Sequence, residues 1–335
     1  MPELPATRLE MLWESEHPLS TLQTRFGFAD AESAARWVGT TLRERWGIDV
    51  ITCARVVMSA RNAIAWLSTD DGPMLAKWSV AAEHFTRLEG NARLVQWLHA
   101  QGCPVSAPLP CRNGEVQVEL PGASIGVQRV MGGSHLDVDD AAQVRAAGAA
   151  LARLHHALST YPEAERLAGP LPAAEPLTVR LGRWFDRAGT HIPASACQAL
   201  RSLVATAGPE PTDRQLVHGD IRSANILCDG PSVAAFIDFD EVRRDHRIDE
   251  IARSAVLLGT QFHDWGPVSP EVHAAYLAGY VSVSPLTPQQ RARWEVLVLW
   301  YSLAFVSSGD DPTGSLAAAR QHSALSRTRS ARARA

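Results

Sequence analysis

Lysine is almost absent from this sequence, and long hydrophobic runs are missing altogether. Of the 32 basic residues in the 335-residue chain, Lys77 is the only lysine and the other 31 are arginine. No apolar run approaches the roughly 20 residues that a membrane-spanning helix needs. The first 20 residues mix charges with prolines where a secretory signal needs a continuous apolar stretch. We therefore expect a cytoplasmic protein with no membrane partner.

Cysteine is scarce as well. The five cysteines are odd in number and scattered, without a Cys-x-x-Cys pair or a His/Cys cluster at metal-ligand spacing. This pattern argues against both a disulfide scaffold and a zinc site. We expect five reduced, structural thiols.

Outside the last ten residues, the chain also has fewer basic than acidic residues. The net charge is −4, and the last ten residues contain four arginines, so the remainder of the chain carries −8. An acidic body of this kind argues against nucleic acid as the main partner. We expect residues 313–335 to form a disordered, arginine-rich tail.

Alternating hydrophobic residues in the first third predict an antiparallel five-stranded sheet with one helix. The predicted strands are residues 51–59, 62–69, 73–80, 116–120 and 124–130. Asp70-Asp71-Gly72 has the composition of a hairpin turn. Apolar residues recur at helical spacing over 82–101, where Gly102 follows as a stop signal.

After Gly132-Gly133 the pattern becomes mainly helical, with two β-like segments near residues 224–240. A β-rich first third followed by an α-rich remainder predicts an α+β fold of two lobes with a cleft between them. The predicted divisions are a partly helical extension (1–45), the sheet lobe (46–131), the helical lobe (132–312) and the tail (313–335).

One stretch, VHGDIRSANILCDGPSVAAFIDFDE (217–241), concentrates polar side chains around a predicted hairpin. Asp220 is followed five residues later by Asn225, and Asp238 comes after the second strand. A turn at 229–232 would place Asn225 opposite about Phe236, so that Asp238 reaches the same end of the hairpin. Converging oxygen ligands with room for water and phosphate suit Mg²⁺.

The order of these residues resembles that of protein kinases, where a catalytic-loop Asp precedes a metal-binding Asn by five residues and a DFG segment follows. Here His218-Gly219-Asp220 occupies the position of HRD, and Asp238-Phe239-Asp240 occupies the position of DFG. These variants resemble the aminoglycoside phosphotransferase superfamily, which also contains choline kinases and a homoserine kinase lineage. The resemblance covers roughly residues 50 to 310 and is strongest over 217–252.

This resemblance implies a bilobal, protein-kinase-like fold that uses ATP and Mg²⁺. The γ-phosphoryl group would pass to a hydroxyl of a small molecule, such as an antibiotic, an amino alcohol or a homoserine-like metabolite. Asp220 would be the catalytic base, and Asn225 and Asp238 the metal ligands. Lys77, in a first lobe that binds nucleotide, would hold the ATP phosphates. Arg222 either meets the transferred phosphoryl group or is a solvated loop arginine.

Further nucleotide contacts are less sharply defined by the sequence. The turn between the first two strands lacks glycine, and its Ser59 and Asn62 either cap a phosphate or simply close a hairpin. Backbone groups of the segment that connects the two lobes, about Gln128 to Met131 and including Val130, are expected to meet adenine. The acidic partner of Lys77 stays open. The candidates for that position are Glu89 and Glu83; otherwise Asn91 or no charged group fills it.

Several neighbouring residues have expected supporting roles. His218 is expected to hold the loop through backbone hydrogen bonds, and Asp249 to cap the following helix and steady the loop. Asp240 is an additional candidate for metal or water. His155 and His156 are expected to be packing and surface residues respectively. Candidate acids for the acceptor pocket are Asp264, Glu271, Glu295, Asp310 and Asp311.

Two other functions fit parts of the pattern. The glycine-free turn and the uncertain partner of Lys77 also suit a catalytically silent, nucleotide-binding scaffold. A protein kinase fits less well, because only ten residues separate Asp238 from Asp249, too few for a typical activation loop.

Overall fold

The computed structural model of the protein describes residues 6–167, 175–211, 213–262 and 264–306. The chain divides into two compact units, one before and one after the junction between Gly132 and Gly133. The expected tail at 313–335 and the candidate acids Asp310 and Asp311 lie outside the described residues. Within the described ranges, no helix combines the length and hydrophobicity needed to span a bilayer.

In the part of the chain that the structure describes, the first unit is a six-stranded sheet with three α-helices. Its elements are β1 (Arg8–Met11), α1 (Pro18–Phe26), α2 (Ala31–Arg45), β2 (Val50–Met58), β3 (Asn62–Thr69), β4 (Gly72–Ser79), α3 (Phe85–Ala100), β5 (Val118–Leu120) and β6 (Ala123–Arg129). The strands lie in the order β1-β2-β3-β4-β6-β5. Every neighbouring pair is antiparallel except β1 and β2.

The sheet has one strand more than the sequence pattern predicts. β1 is only four residues long and pairs in parallel with the segment Arg55–Met58 of β2. A four-residue edge strand contains too little alternation to be recognised from sequence, so the expectation of five strands is corrected to six.

Helices α1 and α2 cover one face of this sheet. A capping box formed by Asp30 and Ser33 begins α2. Leu22 of α1 and Val38 of α2 share a buried core with Ala76 and other apolar residues of β2, β3, β4 and β6. The hydrophobic effect therefore joins the N-terminal helices to the sheet as one packed unit.

The second unit is mainly helical. Its elements are β7 (Ser134–His135), α4 (Ala141–Ser159), α5 (Ala164–Leu167), α6 (Leu177–Arg187), α7 (Ala194–Thr206), β8 (Gln215–Val217), β9 (Ile226–Asp229), β10 (Ser232–Phe236), β11 (Arg243–Asp245), α8 (Arg247–Leu257), β12 (Thr260–Gln261), β13 (Asp264–Trp265), α9 (Pro270–Val283) and α10 (Pro288–Ala304). Together the two units confirm the predicted α+β class, with a sheet first and helices after it.

Two small ladders in the second unit position the motif. β9 pairs with both β10 and β7, and β8 pairs with β11. The His-Gly-Asp segment follows β8, a short 3₁₀ turn over Ser223–Asn225 leads into β9, and Asp238 follows β10. The polar residues of the motif therefore lie at strand ends, outside the paired parts of the strands.

Candidate active site

The loop after β8 depends on a glycine. Gly219 has φ +90°, and a Cβ atom there would lie 2.1 Å from the carbonyl oxygen of Glu241. No other residue type fits both the dihedral angle and the space. This is a physical reason for the glycine of the His-Gly-Asp motif.

His218 holds the loop from inside. The Asp220 backbone N–H donates to His218 Nδ1 at 3.3 Å, and Nε2 lies 3.1 Å from the carbonyl oxygen of Ile237. Because Nδ1 accepts, the ring proton is assigned to Nε2, which donates to that carbonyl. The side chain is fully buried beneath Phe239. The predicted loop-holding role of His218 is confirmed.

Glu250 fixes the same loop through its backbone. The His218 N–H donates to Glu250 Oε2 at 3.2 Å, and the Gly219 N–H donates to Oε1. Asp249, which the sequence assigned to this task, instead binds Arg180 at 2.7 Å and Arg293 at 3.2 Å. The expectation for Asp249 is therefore wrong. Consecutive residues of a helix point about 100° apart, so only Glu250 faces the loop.

A buried polar chain continues from Glu250 into two other helices. His155 Nε2 lies 2.6 Å from Glu250 Oε2, and its Nδ1 lies 2.9 Å from the hydroxyl of Tyr280. His155 on α4 is thus more than the packing residue that its sequence context indicated, whereas His156 is exposed as expected. The available sequence signal was a histidine on an otherwise apolar helical stripe.

The ionisation of Glu250 reflects these contacts. Burial alone raises the pKa of its carboxyl group. The hydrogen bond and charge of His155 and the hydrogen bond from the Gly219 N–H outweigh burial and lower the pKa from 4.5 to about 2. A group with a lowered folded pKa stabilises the fold above its unfolded pKa, and this contribution is lost as pH falls from 4.5 toward 2.

We expect Glu250→Gln to lower the free energy of unfolding by about 3 kcal/mol at pH 7, because one acceptor of a buried paired network is replaced by a donor. Urea unfolding at a series of pH values measures this. The variant should also lose part of the stability change between pH 4.5 and 2. Glu241→Gln, at an exposed acid of the same loop region, should stay within about 0.5 kcal/mol of wild type. Equal losses in both variants would contradict the role of Glu250.

The Asp220 carboxylate is oriented by two neighbours. Asn225 Nδ2 donates to the Asp220 carbonyl oxygen at 2.8 Å and to Oδ2 at 2.9 Å. Arg222 Nε lies 3.0 Å from the same Oδ2, and its side chain is only 8% exposed. The alternative of a solvated loop arginine is therefore wrong. These contacts leave Oδ1 as the oxygen better placed to meet a substrate hydroxyl.

Asn225 and Asp238 lie at the same end of the β9–β10 hairpin. Ile237 N donates to Asn225 O at 3.1 Å, so Asn225 is opposite Ile237, one residue beyond the predicted Phe236. A register shift between Val233 and Ala235 accounts for this difference.

The donor set at this hairpin end fits a hard cation. Because Asn225 Nδ2 is directed at Asp220, its Oδ1 remains available as a ligand. Asp238 is exposed and has φ 65° and ψ 68°, a left-handed conformation that costs energy for a residue with a side chain. Among the described residues, no group of three or more His, Cys, Asp or Glu side chains could hold a metal. One carboxylate and one amide suit Mg²⁺, which keeps water and phosphate ligands.

In the first unit, Lys77 lies near the middle of β4, opposite Ile64 and Gly126. Its neighbours Ala76 and Trp78 point into the core shared with α1 and α2. Because side chains alternate along a strand, Lys77 projects from the opposite face. It is half-buried there.

The acidic-partner candidates differ in their surroundings. Glu89 is exposed and pairs with Arg93 one turn along α3, and Glu83 is exposed as well. Asn91, in contrast, is buried, and its Nδ2 has no hydrogen-bond partner among the described residues. Only Asn91 among the three candidates is enclosed within the unit.

The other residues predicted to contact nucleotide already make hydrogen bonds or strand pairs within the first unit. The Ser59 hydroxyl lies 3.3 Å from the carbonyl oxygen of Asn62, within the β2–β3 turn. Gln128 lies in β6 opposite Leu75, and Val130 N donates to Pro73 O at 3.1 Å. An adenine contact from Val130 would therefore have to use its carbonyl oxygen.

The described candidate acceptor acids lie on two different helices. Glu271 is exposed in the first turn of α9, and Glu295 is half-buried on α10. The side chain of Asp264 falls outside the description. Asp240 follows directly after the Asp238-Phe239 pair and is half-buried.

The sheet-then-helix architecture and the Asp–Asn–Asp hairpin define a chain of the protein-kinase-like class. The model of the phosphotransferase enzyme family matches residues 53–294. Because the match covers more than half of the chain, this protein belongs to that family. The resemblance inferred from the motif is thereby confirmed.

Individual relatives are distant. The chain is 29% identical over 216 residues to the homoserine kinase of Beijerinckia indica, covering 63% of this chain and 65% of the relative. It is 24% identical over 208 residues to that of Neisseria meningitidis, covering 58% and 62%. The chain thus spans slightly less than two thirds of these relatives.

Solved structures show the same fold. The macrolide 2′-phosphotransferase of Brachybacterium faecium superposes with a TM-score of 0.57 at 16% identity, over 87% of this chain and 97% of the other. A microcompartment-associated aminopropanol kinase gives 0.54 at 20% identity, over 87% and 95%. At these identities the comparison establishes the architecture and leaves the acceptor undefined.

Proposed function

We propose that the protein transfers the γ-phosphoryl group of ATP, with Mg²⁺, to a hydroxyl of a small molecule. The observation that carries this proposal is the arrangement at the end of the β9–β10 hairpin. There the catalytic-loop carboxylate of Asp220, with 20% of its side chain exposed, is oriented by Asn225. Asp238 follows at the same end of the hairpin. Family membership and the homoserine kinase relatives support the same reaction class.

In this mechanism Asp220 Oδ1 orients the acceptor hydroxyl and takes its proton. The acceptor oxygen bonds to the γ-phosphorus, and the bond from that phosphorus to the bridging oxygen breaks, with its electron pair leaving on ADP. Asn225 Oδ1 and the Asp238 carboxylate would hold Mg²⁺, which when bound neutralises phosphate charge. Arg222 offsets charge on the transferred group, and Lys77 binds the α and β phosphates. Most of the rate enhancement comes from positioning.

The proposal is tested by acceptor-dependent ADP release. The panel consists of aminoglycosides, macrolides, choline, ethanolamine and homoserine, each assayed with ATP and Mg²⁺. At least one acceptor class should stimulate ADP release well above the rate of ATP hydrolysis alone. Nucleotide binding without stimulation by any acceptor would favour the silent scaffold instead.

Replacing Asp238 tests the metal site. We expect Asp238→Ala and Asp238→Asn both to abolish the Mg²⁺-dependent part of ATP affinity, measured by titration calorimetry with and without Mg²⁺. The two variants should differ in stability. Alanine in the left-handed conformation costs about 1 kcal/mol, whereas asparagine tolerates it. Unchanged metal-dependent affinity in Asp238→Asn would remove this residue from the metal site.

A further inference from the structure

We propose that Arg253 binds an anionic group, a carboxylate, on the acceptor. The acceptors would then be small hydroxy acids or hydroxy amino acids, and not polyamines or amino alcohols. This inference rests on the proposed function, because it identifies the acceptor class of that reaction. Arg253 lies on α8, one turn beyond the Glu250 that holds the catalytic loop.

Arg253 faces the catalytic carboxylate, and this contact does not use all of its N–H donors. Its Nη1 donates to Gly219 O at 2.9 Å and lies 3.8 Å from Asp220 Oδ1. The second distance is that of an ion pair and is too long for a hydrogen bond. A guanidinium carries five N–H donors in a planar fork, and the Gly219 carbonyl uses one. With 29% of the side chain exposed, other donors remain for the two oxygens of a carboxylate.

The charges around this loop favour an anion. Arg222 and Arg253 both approach Asp220, and Arg243 donates to Gly219 O at 3.1 Å while pairing with Asp245. Asp245 compensates Arg243, which leaves two guanidinium groups, Arg222 and Arg253, at the single carboxylate of Asp220. This local pairing contrasts with the net charge of −4 of the whole chain. A polycationic acceptor placed at Asp220 would meet like charges.

Four other acids belong to this region, Asp238, Asp240, Glu241 and Glu250, and Asp240 is half-buried. Asp238 is assigned to Mg²⁺ in the proposed reaction, where a doubly charged ion compensates it. Glu250 is buried and directed at His155 and the loop backbone. Glu241 is exposed to solvent, where its charge is screened.

The geometry also limits the size of the acceptor. Its hydroxyl must reach Asp220 Oδ1 and its carboxylate must reach Arg253, and these two protein atoms are 3.8 Å apart. With hydrogen bonds of about 3 Å on both sides, a carboxylate bound at Nη1 cannot lie more than roughly 10 Å from the hydroxyl. Hydroxyl and carboxylate can therefore belong to one small molecule.

Matched acceptor pairs test the inference with the full-length protein. Homoserine is compared with homoserine amide, and 4-hydroxybutyrate with 4-hydroxybutyramide, with ethanolamine and kanamycin as cationic acceptors. We expect wild type to favour each acid over its amide by at least about tenfold in kcat/KM. Arg253→Gln should lower kcat/KM for the acids about thirtyfold, the scale of a lost charged hydrogen-bonded pair, while the KM for ATP changes less than about twofold.

Two further variants separate recognition from loop support. Arg253→Lys retains the charge without the fork and should recover part of the preference for acids. Arg243→Gln removes an equally exposed guanidinium that also donates to Gly219 O, and it should keep the acid-to-amide ratio of wild type. Melting temperatures establish that each variant is folded. If Arg253→Gln does not fold, the test is the wild-type ratio of kcat/KM for each acid to kcat/KM for its amide. A ratio near one overturns the inference.

The possible failures are distinguishable. Equal loss for acids and amides in Arg253→Gln, or a raised KM for ATP, would assign Arg253 to the loop or the phosphates. Best turnover of ethanolamine or kanamycin by wild type would overturn the anionic acceptor and leave the phosphotransferase intact. No stimulation of ADP release by any acceptor would contradict the proposed function itself.

Discussion

Asp220→Asn is expected to lower kcat by at least about a hundredfold while ATP affinity stays within a few-fold of wild type. The substitution removes the oxygen charge that accepts the proton, which is the effect of losing a positioned general base. It preserves the shape of the side chain, which Arg222 and Asn225 orient. Steady-state kinetics with the best acceptor and a direct ATP-binding titration on the same preparation measure both quantities.

Asp229→Asn is the matched control. Asp229 is an exposed carboxylate at the turn of the same hairpin, so its neutralisation changes the net charge equally without touching the loop. Its kcat should stay near that of wild type. Undiminished turnover in Asp220→Asn would exclude the mechanism, whatever the control does.

Lys77→Arg is expected to lower kcat/KM for ATP about a hundredfold and leave the melting temperature nearly unchanged. A guanidinium is longer and forked, and displacing the triphosphate by about 1 Å is enough for a loss of that size. Stability should be retained because Lys77 projects from the face of β4 opposite the core formed with α1 and α2. An incidental lysine on a surface would instead tolerate arginine within about 0.5 kcal/mol and with normal kinetics.

Arg55→Lys gives the reverse exchange on the same sheet. Arg55 lies on β2, pairs with Glu10 at 3.2 Å and covers the ring of Trp66 at 4.1 Å. Its replacement should cost some stability through the lost stacking and leave kcat/KM for ATP unchanged. Normal kinetics in Lys77→Arg would remove Lys77 from the site and leave the nucleotide role of the first unit without its main support.

The hairpin carrying Asn225 and Asp238 was predictable because its geometry is local. Sequence spacing places both residues at one end of two paired strands, and the observed register differs from the expected one by a single residue. Lys77 is a candidate for a different reason, since a chain with 31 arginines has little ordinary use for one lysine, and its role stays a prediction. The edge strand β1 was missed because four residues contain no readable period.

The supports of the loop were not predictable in the same way. Asp249 and Glu250 are adjacent acids with similar sequence contexts, and only the rotation of α8 decides which one meets the loop. His155 lies 95 residues from Glu250, and Tyr280 lies 125 residues from His155. Their contacts depend on how α4, α8 and α9 pack, which no local pattern encodes.

Local sequence thus places the proposed reaction centre, because Asp220, Asn225 and Asp238 belong to one short segment whose strand pairing brings them together. The tertiary structure alone adds the groups from distant segments that approach Asp220. Arg253 comes from a different element, α8, and its guanidinium reaches the carboxylate only through the packing of that helix against the loop. Contacts between distant segments depend on the whole fold, so the approach of Arg253 to Asp220 could not be predicted from local sequence.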